Sequence, residues 1–320
     1  MTRPVVLISE SAGFCPSAAQ RLREFAEVRL ADLDRGELLS QVRDVDVLWV
    51  RLRHQIDREV FEAAPHLRMI ATATTGLNHV DLEEARRRNV KVVSLKDAQE
   101  FLRSVPATAE HTIALALALL RNVPAAAEHV RHGYWNRDLF RGRDLCGKTA
   151  GLVGYGRIGR LVSRYLSAFG VRVLATDRNV NLPEAGVAMV SLQELLEQSD
   201  IVSLHASYSQ ENAGMIGRRE FECMRPGTWF INTARGELVD EKALIDALRD
   251  RTLAGAALDV LAEENTGRNR ELIEYARQNG NLLITPHIGG CTQESMEKTE
   301  IFLAGRLATA LDSVHCQCAG

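Results

Sequence analysis

Three features of the chain predict an α/β fold. Short, continuous apolar runs alternate with helical stretches from end to end, the pattern of parallel strands covered on both faces. A glycine-rich turn, Gly154-Tyr-Gly156-Arg-Ile-Gly159, lies between one such run and a helix. The 320 residues exceed the roughly 150 of a typical domain, so two domains are expected.

The strand-like runs are 5–8, 45–50, 69–73, 90–93, 150–153, 171–175, 201–204, 229–232, 255–259 and 282–284. Helices are expected over 16–27, 106–121, 158–169, 192–198 and 240–248. In the last of these Asp240 suits an N-cap, and Ala243, Leu244, Ala247 and Leu248 form one apolar stripe. The longest apolar run, 113–120, is far shorter than a membrane span and reads as a buried helix. The leading run is too short for a signal-peptide core. Segment 128–143, rich in Arg, His and aromatic residues, reads as a loop. Its Tyr134, Trp135 and Phe140 need covering, by the chain itself or by a second subunit.

A hydrophobic share of 46% with 25% charged residues is that of a soluble globular chain. The net charge of −3 gives no overall attraction to nucleic acid or an anionic membrane. The six cysteines, Cys15, Cys146, Cys223, Cys291, Cys316 and Cys318, have no paired metal-ligand spacing. They read as free thiols of a cytoplasmic protein, with Cys291 a packing residue.

The glycine turn predicts a dinucleotide site. Gly154 permits a tight turn, Gly156 lets backbone approach a pyrophosphate, and Gly159 lets the helix pack on the strand. Arg157 and Ile158 open the helix, whose free amides favour phosphate. Asp177 follows eighteen residues after Gly159, at the end of the next strand. A carboxylate there accepts ribose hydroxyls and repels a 2′-phosphate, so NAD is expected over NADP.

Downstream, Asn232-Thr-Ala-Arg235-Gly-Glu, Leu258-Asp-Val-Leu-Ala-Glu-Glu264 and Thr285-Pro-His287-Ile-Gly-Gly290 follow three strand runs. They supply a fixed cation, a carboxylate and an imidazole where open α/β sheets bind ligands. With the dinucleotide turn, this combination predicts hydride transfer.

These stretches, together with Thr75-Gly76-Leu-Asn78-His-Val-Asp81, Ala109-Glu110 and Ser203-Leu-His205, resemble the NAD-dependent D-isomer-specific 2-hydroxyacid dehydrogenases over nearly the whole chain. The resemblance implies two Rossmann-like or flavodoxin-like parallel-sheet domains with an active-site cleft between them. One would be discontinuous and bind substrate, residues 1–98 plus 292–320; the other, 99–291, would bind NAD. It further implies that Arg235 binds the substrate carboxylate, His287 acts as general acid/base and Glu264 orients it. The family spacing after Asp259 selects Glu264 over Glu263, while Asn265 stands where the family often has proline. Asp259 would meet the nicotinamide carboxamide; Thr108, His205, Thr233 and Ala234 would line the cofactor site; and the amides near Thr75 and Gly76 would hold the substrate carboxylate. Ala206 replaces the proline usual after His205.

Trp49-Val-Arg51-Leu-Arg53-His54 resembles the Val-Arg-Ser-Arg-Thr segment of phosphoglycerate dehydrogenases, in which arginines face the substrate phosphate. On a regular strand Arg51 and Arg53 would share a face. The end at Gly320 implies that the regulatory domain of longer members is absent. The implied partners are a small 2-hydroxy or 2-oxo acid and a second copy in a homodimer, with no metal. Formate dehydrogenases of this fold carry Gln at the position of Glu264. A non-enzymatic NAD(H)-sensing protein is the alternative of a different class.

Overall fold

The computed structural model describes residues 3–179, 186–262, 264 and 270–317, with side chains as far as residue 311. The chain divides into two compact units, Met1–Val105 with Thr292–Gly320, and Pro106–Cys291. The first break falls after Val105 rather than Ala98, because the short helix Gln99–Leu102 stays with the first unit.

The first unit holds a five-stranded parallel sheet of β1 (Val5–Ile8), β2 (Glu27–Leu30), β3 (Val47–Val50), β4 (Met69–Thr72) and β5 (Lys91–Val93), in the order β2-β1-β3-β4-β5. This is the flavodoxin-like order. Side chains alternate between two cores, as a period of two requires. Val6, Ile8, Val47, Trp49 and Met69 pack beneath helices Pro16–Arg23 and Gln293–Gln317. Leu7, Leu48, Val50 and Ile70 face the opposite core, with Leu38, Val60, Phe61 and Ala85 from three further helices. The first helix ends at Arg23, short of the expected residue 27, and the chain turns into β2.

The second unit holds seven parallel strands: β6 (Thr149–Val153), β7 (Arg172–Thr176), β8 (Val187–Met189), β9 (Ile201–Leu204), β10 (Thr228–Asn232), β11 (Leu253–Leu258) and β12 (Leu282–Ile284). Their order, β12-β11-β10-β9-β6-β7-β8, is the doubly wound Rossmann order with one strand added. The direction of winding reverses between β6 and β9, so a crevice opens at the carboxyl ends of those two strands. One face is covered by helices Ala107–Leu120 and Arg157–Ala168, the other by Leu192–Gln198, Arg218–Cys223, Glu241–Arg249 and Arg270–Gln278. Asp240 caps its helix as expected, accepting from the Lys242 and Ala243 amides.

Segment 128–143 is less loop-like than its composition suggests. Its beginning belongs to a helix, Val123–Arg131, that buries none of its residues. His129 stacks on Tyr134 and meets Phe140 edge-on, while Trp135 remains 89% exposed. No single helix among the described residues is long and apolar enough to cross a membrane.

One ion pair ties the ends of the first unit together. Arg51, just past β3, donates through Nε and Nη2 to Glu300 Oε1 at 3.2 and 2.6 Å, and Glu300 Oε2 accepts the Cys15 amide at 2.7 Å. The Glu300 side chain is 2% exposed. Arg51→Ala leaves the buried Glu300 carboxylate without its counter-charge, so it should cost about 3–5 kcal/mol of stability in urea unfolding. A loss below about 1 kcal/mol would place the pair among surface bridges instead.

Candidate active site

The glycine turn begins at the crevice. Gly154 has φ +98°, and a Cβ there would lie 2.5 Å from the Ala206 nitrogen and 2.6 Å from the His205 carbonyl carbon. A Cβ on Gly159 would lie 2.3 Å from the Gly154 oxygen. These two glycines are required by the protein's own packing. Gly156 differs: a Cβ there would meet nothing within 4 Å. It is also the N-cap of helix Arg157–Ala168, which has no side-chain cap and no acidic residue in its first turn. An open glycine before an uncapped helix N-terminus fits a dinucleotide pyrophosphate.

Asp177, beyond β7, is tied to this turn. Its Oδ2 accepts the Tyr155 amide at 2.7 Å and its Oδ1 accepts the Asn179 amide at 3.0 Å. Each oxygen keeps a further acceptor site for a ribose hydroxyl. Burial lowers the Arg157 pKa. Ile158 packs on the core beneath the turn.

Beyond β9, His205 Nε2 pairs with Ser203 Oγ at 2.9 Å, while Nδ1 is enclosed without a hydrogen-bond partner. Burial pushes its pKa down to about 3, so the ring is neutral at pH 7.

Beyond β10, the Asn232 side chain holds a turn closed. Its Oδ1 accepts the Ala234 amide and its Nδ2 donates to the Arg235 carbonyl, both at 2.9 Å. Arg235 donates from Nη1 to the Ala234 carbonyl. Burial lowers the guanidinium's pKa, with the carboxylates of Glu237 and Glu264 acting in opposition, and it stays a fixed cation. Gly236 then lies against the next loop: a Cβ would fall 1.9 Å from the Leu261 carbonyl carbon. Only glycine lets the Arg235 turn approach the loop that carries Glu264.

That loop follows β11. Glu264 Oε1 accepts the Leu261 amide at 3.1 Å, and Glu241 Oε1 fixes the Ala262 amide at 2.7 Å. Glu264 Oε2 lies 2.7 Å from His287 Nδ1. An ionised carboxylate only accepts, so Nδ1 carries hydrogen and Nε2 is the nitrogen left to gain or lose a proton. Glu263 and Asn265 lie outside the described residues.

His287, beyond β12, adopts φ +55°. Its amide donates to the carbonyls of Asp259 and Thr285 at 2.8 and 3.0 Å. The Asp259 carboxylate, 2% exposed, takes its neighbours: Thr285 Oγ1 at 2.6 Å and the Ile288 amide at 2.9 Å on Oδ1, and the Gly289 amide at 2.7 Å on Oδ2. Cys291, expected as a packing residue, is exposed.

Arg235, Glu264 and His287 thus stand on successive loops of one sheet edge, together with Thr233, Ala234 and Asp259. Arg51, Arg53, Thr75 and Gly76 belong to the first unit. There β3 ends at Val50, so Arg51 and Arg53 lie in a loop and strand alternation does not give them a common face. Arg51 is engaged by Glu300, and Arg53 Nη1 pairs with Asp32 at 2.9 Å. Thr74 Oγ1 donates to the Gly76 carbonyl at 2.8 Å, which braces the Thr75–Gly76 turn. Among the described residues no His, Cys, Asp or Glu cluster could hold a metal ion.

Residues 113–289 match the NAD binding domain of the D-isomer specific 2-hydroxyacid dehydrogenases. The chain belongs to that family. It is 39% identical over 316 residues to a D-3-phosphoglycerate dehydrogenase of Mycobacterium bovis, covering 97% of this chain but 58% of that protein. It therefore spans little more than half the length of such relatives. It is 38% identical over 286 residues to a glyoxylate reductase of Pyrococcus furiosus, covering 86% and 82%. The D-lactate dehydrogenase of Aquifex aeolicus, solved with NAD and lactic acid, superposes with a TM-score of 0.82 at 27% identity, covering 97% and 96%.

Asn232 and Gly236 stand in the sequence only as letters of a motif, and nothing there gives Glu241 or Thr285 a task. The dehydrogenase fold brings them in as supports. Asn232 carried a local signal, an amide side chain two residues ahead of an N–H it can accept. Glu241, twenty-one residues from Ala262, carried none.

The His205 ring sets a pH dependence. Its folded pKa lies below its unfolded value, so its contribution is complete above about pH 6.5 and is lost as pH falls toward 3. His205→Asn, which cannot titrate, should flatten the acid limb of the stability curve by up to about 1.4 kcal/mol per pH unit between those limits. Urea midpoints from pH 7 to 4 measure this; parallel limbs would show that the ring protonates freely in the fold.

Proposed function

We propose that this chain is an NAD-dependent oxidoreductase that interconverts a D-2-hydroxy acid and its 2-oxo acid. The observation that carries the reading is the His287–Glu264 pair at 2.7 Å, on the same sheet edge as a half-buried arginine and a dinucleotide turn. Bound NADH would supply the hydride for the carbonyl carbon. Arg235 holds the substrate carboxylate and draws electron density from the adjacent carbonyl. His287 gives the Nε2 proton to the carbonyl oxygen as it becomes an alkoxide, and takes it back in the reverse direction. Glu264 accepts from Nδ1 and so fixes the orientation and tautomer of the ring.

Gly154, Gly156 and Gly159 shape the cofactor turn, and Arg157 and Ile158 present the helix amides. Asp177 takes the adenosine ribose and disfavours a 2′-phosphate, which supports NAD over NADP. Thr75 and Gly76 serve the substrate carboxylate. The engagement of Arg51 by Glu300 and Arg53 by Asp32 supports a 2-oxo acid without a phosphate, glyoxylate or hydroxypyruvate being the simplest. The exposed Val123, Val130, Trp135 and Leu139 support a second copy of the chain as the cover of that surface.

NADH oxidation measured across 2-oxo acids with and without a second anionic group tests this reading. Glyoxylate or hydroxypyruvate should exceed 3-phosphohydroxypyruvate in kcat/KM by about tenfold or more. His287→Ala should lower kcat by about 10²–10⁴-fold. NADH binding with no turnover of any 2-oxo acid would leave a sensing protein in place of an enzyme. In a separate comparison Asp177→Ala should narrow the preference for NADH over NADPH; an unchanged ratio would remove Asp177 from cofactor choice.

A further inference from the structure

Two neighbouring residues of helix Ala107–Leu120 reach two different catalytic loops. His111 Nε2 lies 3.1 Å from Asp259 Oδ1 and 3.0 Å from Thr285 Oγ1. The Thr285 hydroxyl proton already goes to Asp259 at 2.6 Å, so the hydrogen on these two contacts must come from His111 Nε2. The ring therefore donates into the carboxylate that holds Thr285, Ile288 and Gly289 around His287. A Cβ on Gly289 would lie 3.7 Å from His111 Cδ2 and 3.5 Å from Thr108 Cγ2, so this helix face and the His287 loop are in close packing.

Thr112, the next residue, serves the other loop. Its hydroxyl donates to the Thr108 carbonyl at 2.7 Å and is 2.8 Å from Thr233 Oγ1. With its one hydrogen placed on the helix, Thr112 must accept from Thr233, two residues before Arg235. Both threonines are buried.

We propose that this helix sets the spacing between Arg235 and His287, with His111 and Thr112 as positioning residues for the two loops. A rigid helix joins two loops that otherwise follow non-adjacent strands, β10 and β12. The proposal rests on the dehydrogenase reading for its kinetic consequence, since the reacting carbonyl must meet the cation and the imidazole together. A displacement near 1 Å costs such a step about 100-fold.

The test pairs two polar substitutions. Gln at position 111 carries its N–H about where Nε2 stands, whereas Asn carries it near Nδ1, short of Asp259. His111→Gln should keep kcat within about threefold of wild type, and His111→Asn should lower it by about 10–100-fold with the NADH KM nearly unchanged. With glyoxylate or hydroxypyruvate and NADH deuterated at nicotinamide C4, His111→Asn should also raise the isotope effect on kcat. Thr112→Val should behave like His111→Asn, and Thr112→Ser like wild type. Amide hydrogen exchange without cofactor gives an independent readout: Ile288 and Gly289 should lose protection in His111→Asn and keep it in His111→Gln. If wild type reduces no 2-oxo acid while those amides respond as stated, the functional reading falls and the positioning role stands. Wild-type kcat and protection in His111→Asn, or equal losses in both variants that track the melting temperature, would overturn the proposal.

Discussion

A histidine in the left-handed backbone region is held there by one carboxylate. The conformation costs an L residue about 1–2 kcal/mol, and a ring displaced with its backbone would miss Glu264. Asp259 opposes that cost from both of its ends. Its carbonyl takes the His287 amide, and its carboxylate takes the amides of Ile288 and Gly289 and the hydroxyl of Thr285. A neutral side chain would offer fewer acceptors, and one set back from the loop would leave amides without partners. Hydrogen bonds to a charged acceptor contribute about 1.5–3 kcal/mol each, more than the backbone strain they oppose.

The same economy governs the rest of the sheet edge. In a parallel sheet all carboxyl ends face one way, so the loops after β6, β7, β9, β10, β11 and β12 share one edge without any long excursion of chain. Close approach then depends on missing side chains. Gly154 admits the His205–Ala206 backbone, and Gly236 admits Leu261–Ala262. Where loops are this near, a half-buried arginine sits beside carboxylates rather than among apolar groups alone. Desolvation lowers the Arg235 pKa while Glu237 and Glu264 oppose it.

The central strands were legible because they are covered on both faces and read as uninterrupted apolar runs. The two strands missed, Glu27–Leu30 and Val187–Met189, are the outer strands of their sheets. Each is only partly covered: Glu27–Leu30 alternates polar and apolar residues and gives no such run, while Val187–Met189 is apolar but only three residues long. The candidate site was legible where its residues fall in short segments: the Gly154–Gly159 turn and the loops that carry Arg235, Glu264 and His287. It was not legible where a residue acts across the fold. His111 meets Asp259 from 148 positions away, and nothing in a helical heptad distinguishes an inward histidine that packs from one that donates.

Arg51 shows the same limit from the other side. Its segment resembles one in which arginines face a phosphate, and the local letters support that equally well in either role. The decision is made by Glu300, 249 residues later, whose carboxylate is almost wholly buried and needs a cation. Glu10 adds to it by accepting the Arg51 and Arg53 amides, so the loop is surrounded by acceptors rather than donors. Releasing Arg51 to a ligand would strand Glu300 in the core, a penalty of several kcal/mol that a surface phosphate contact does not offset. The guanidinium is held by what its absence would leave behind, and that constraint is visible only once the C-terminal helix is packed against β3 and its neighbours.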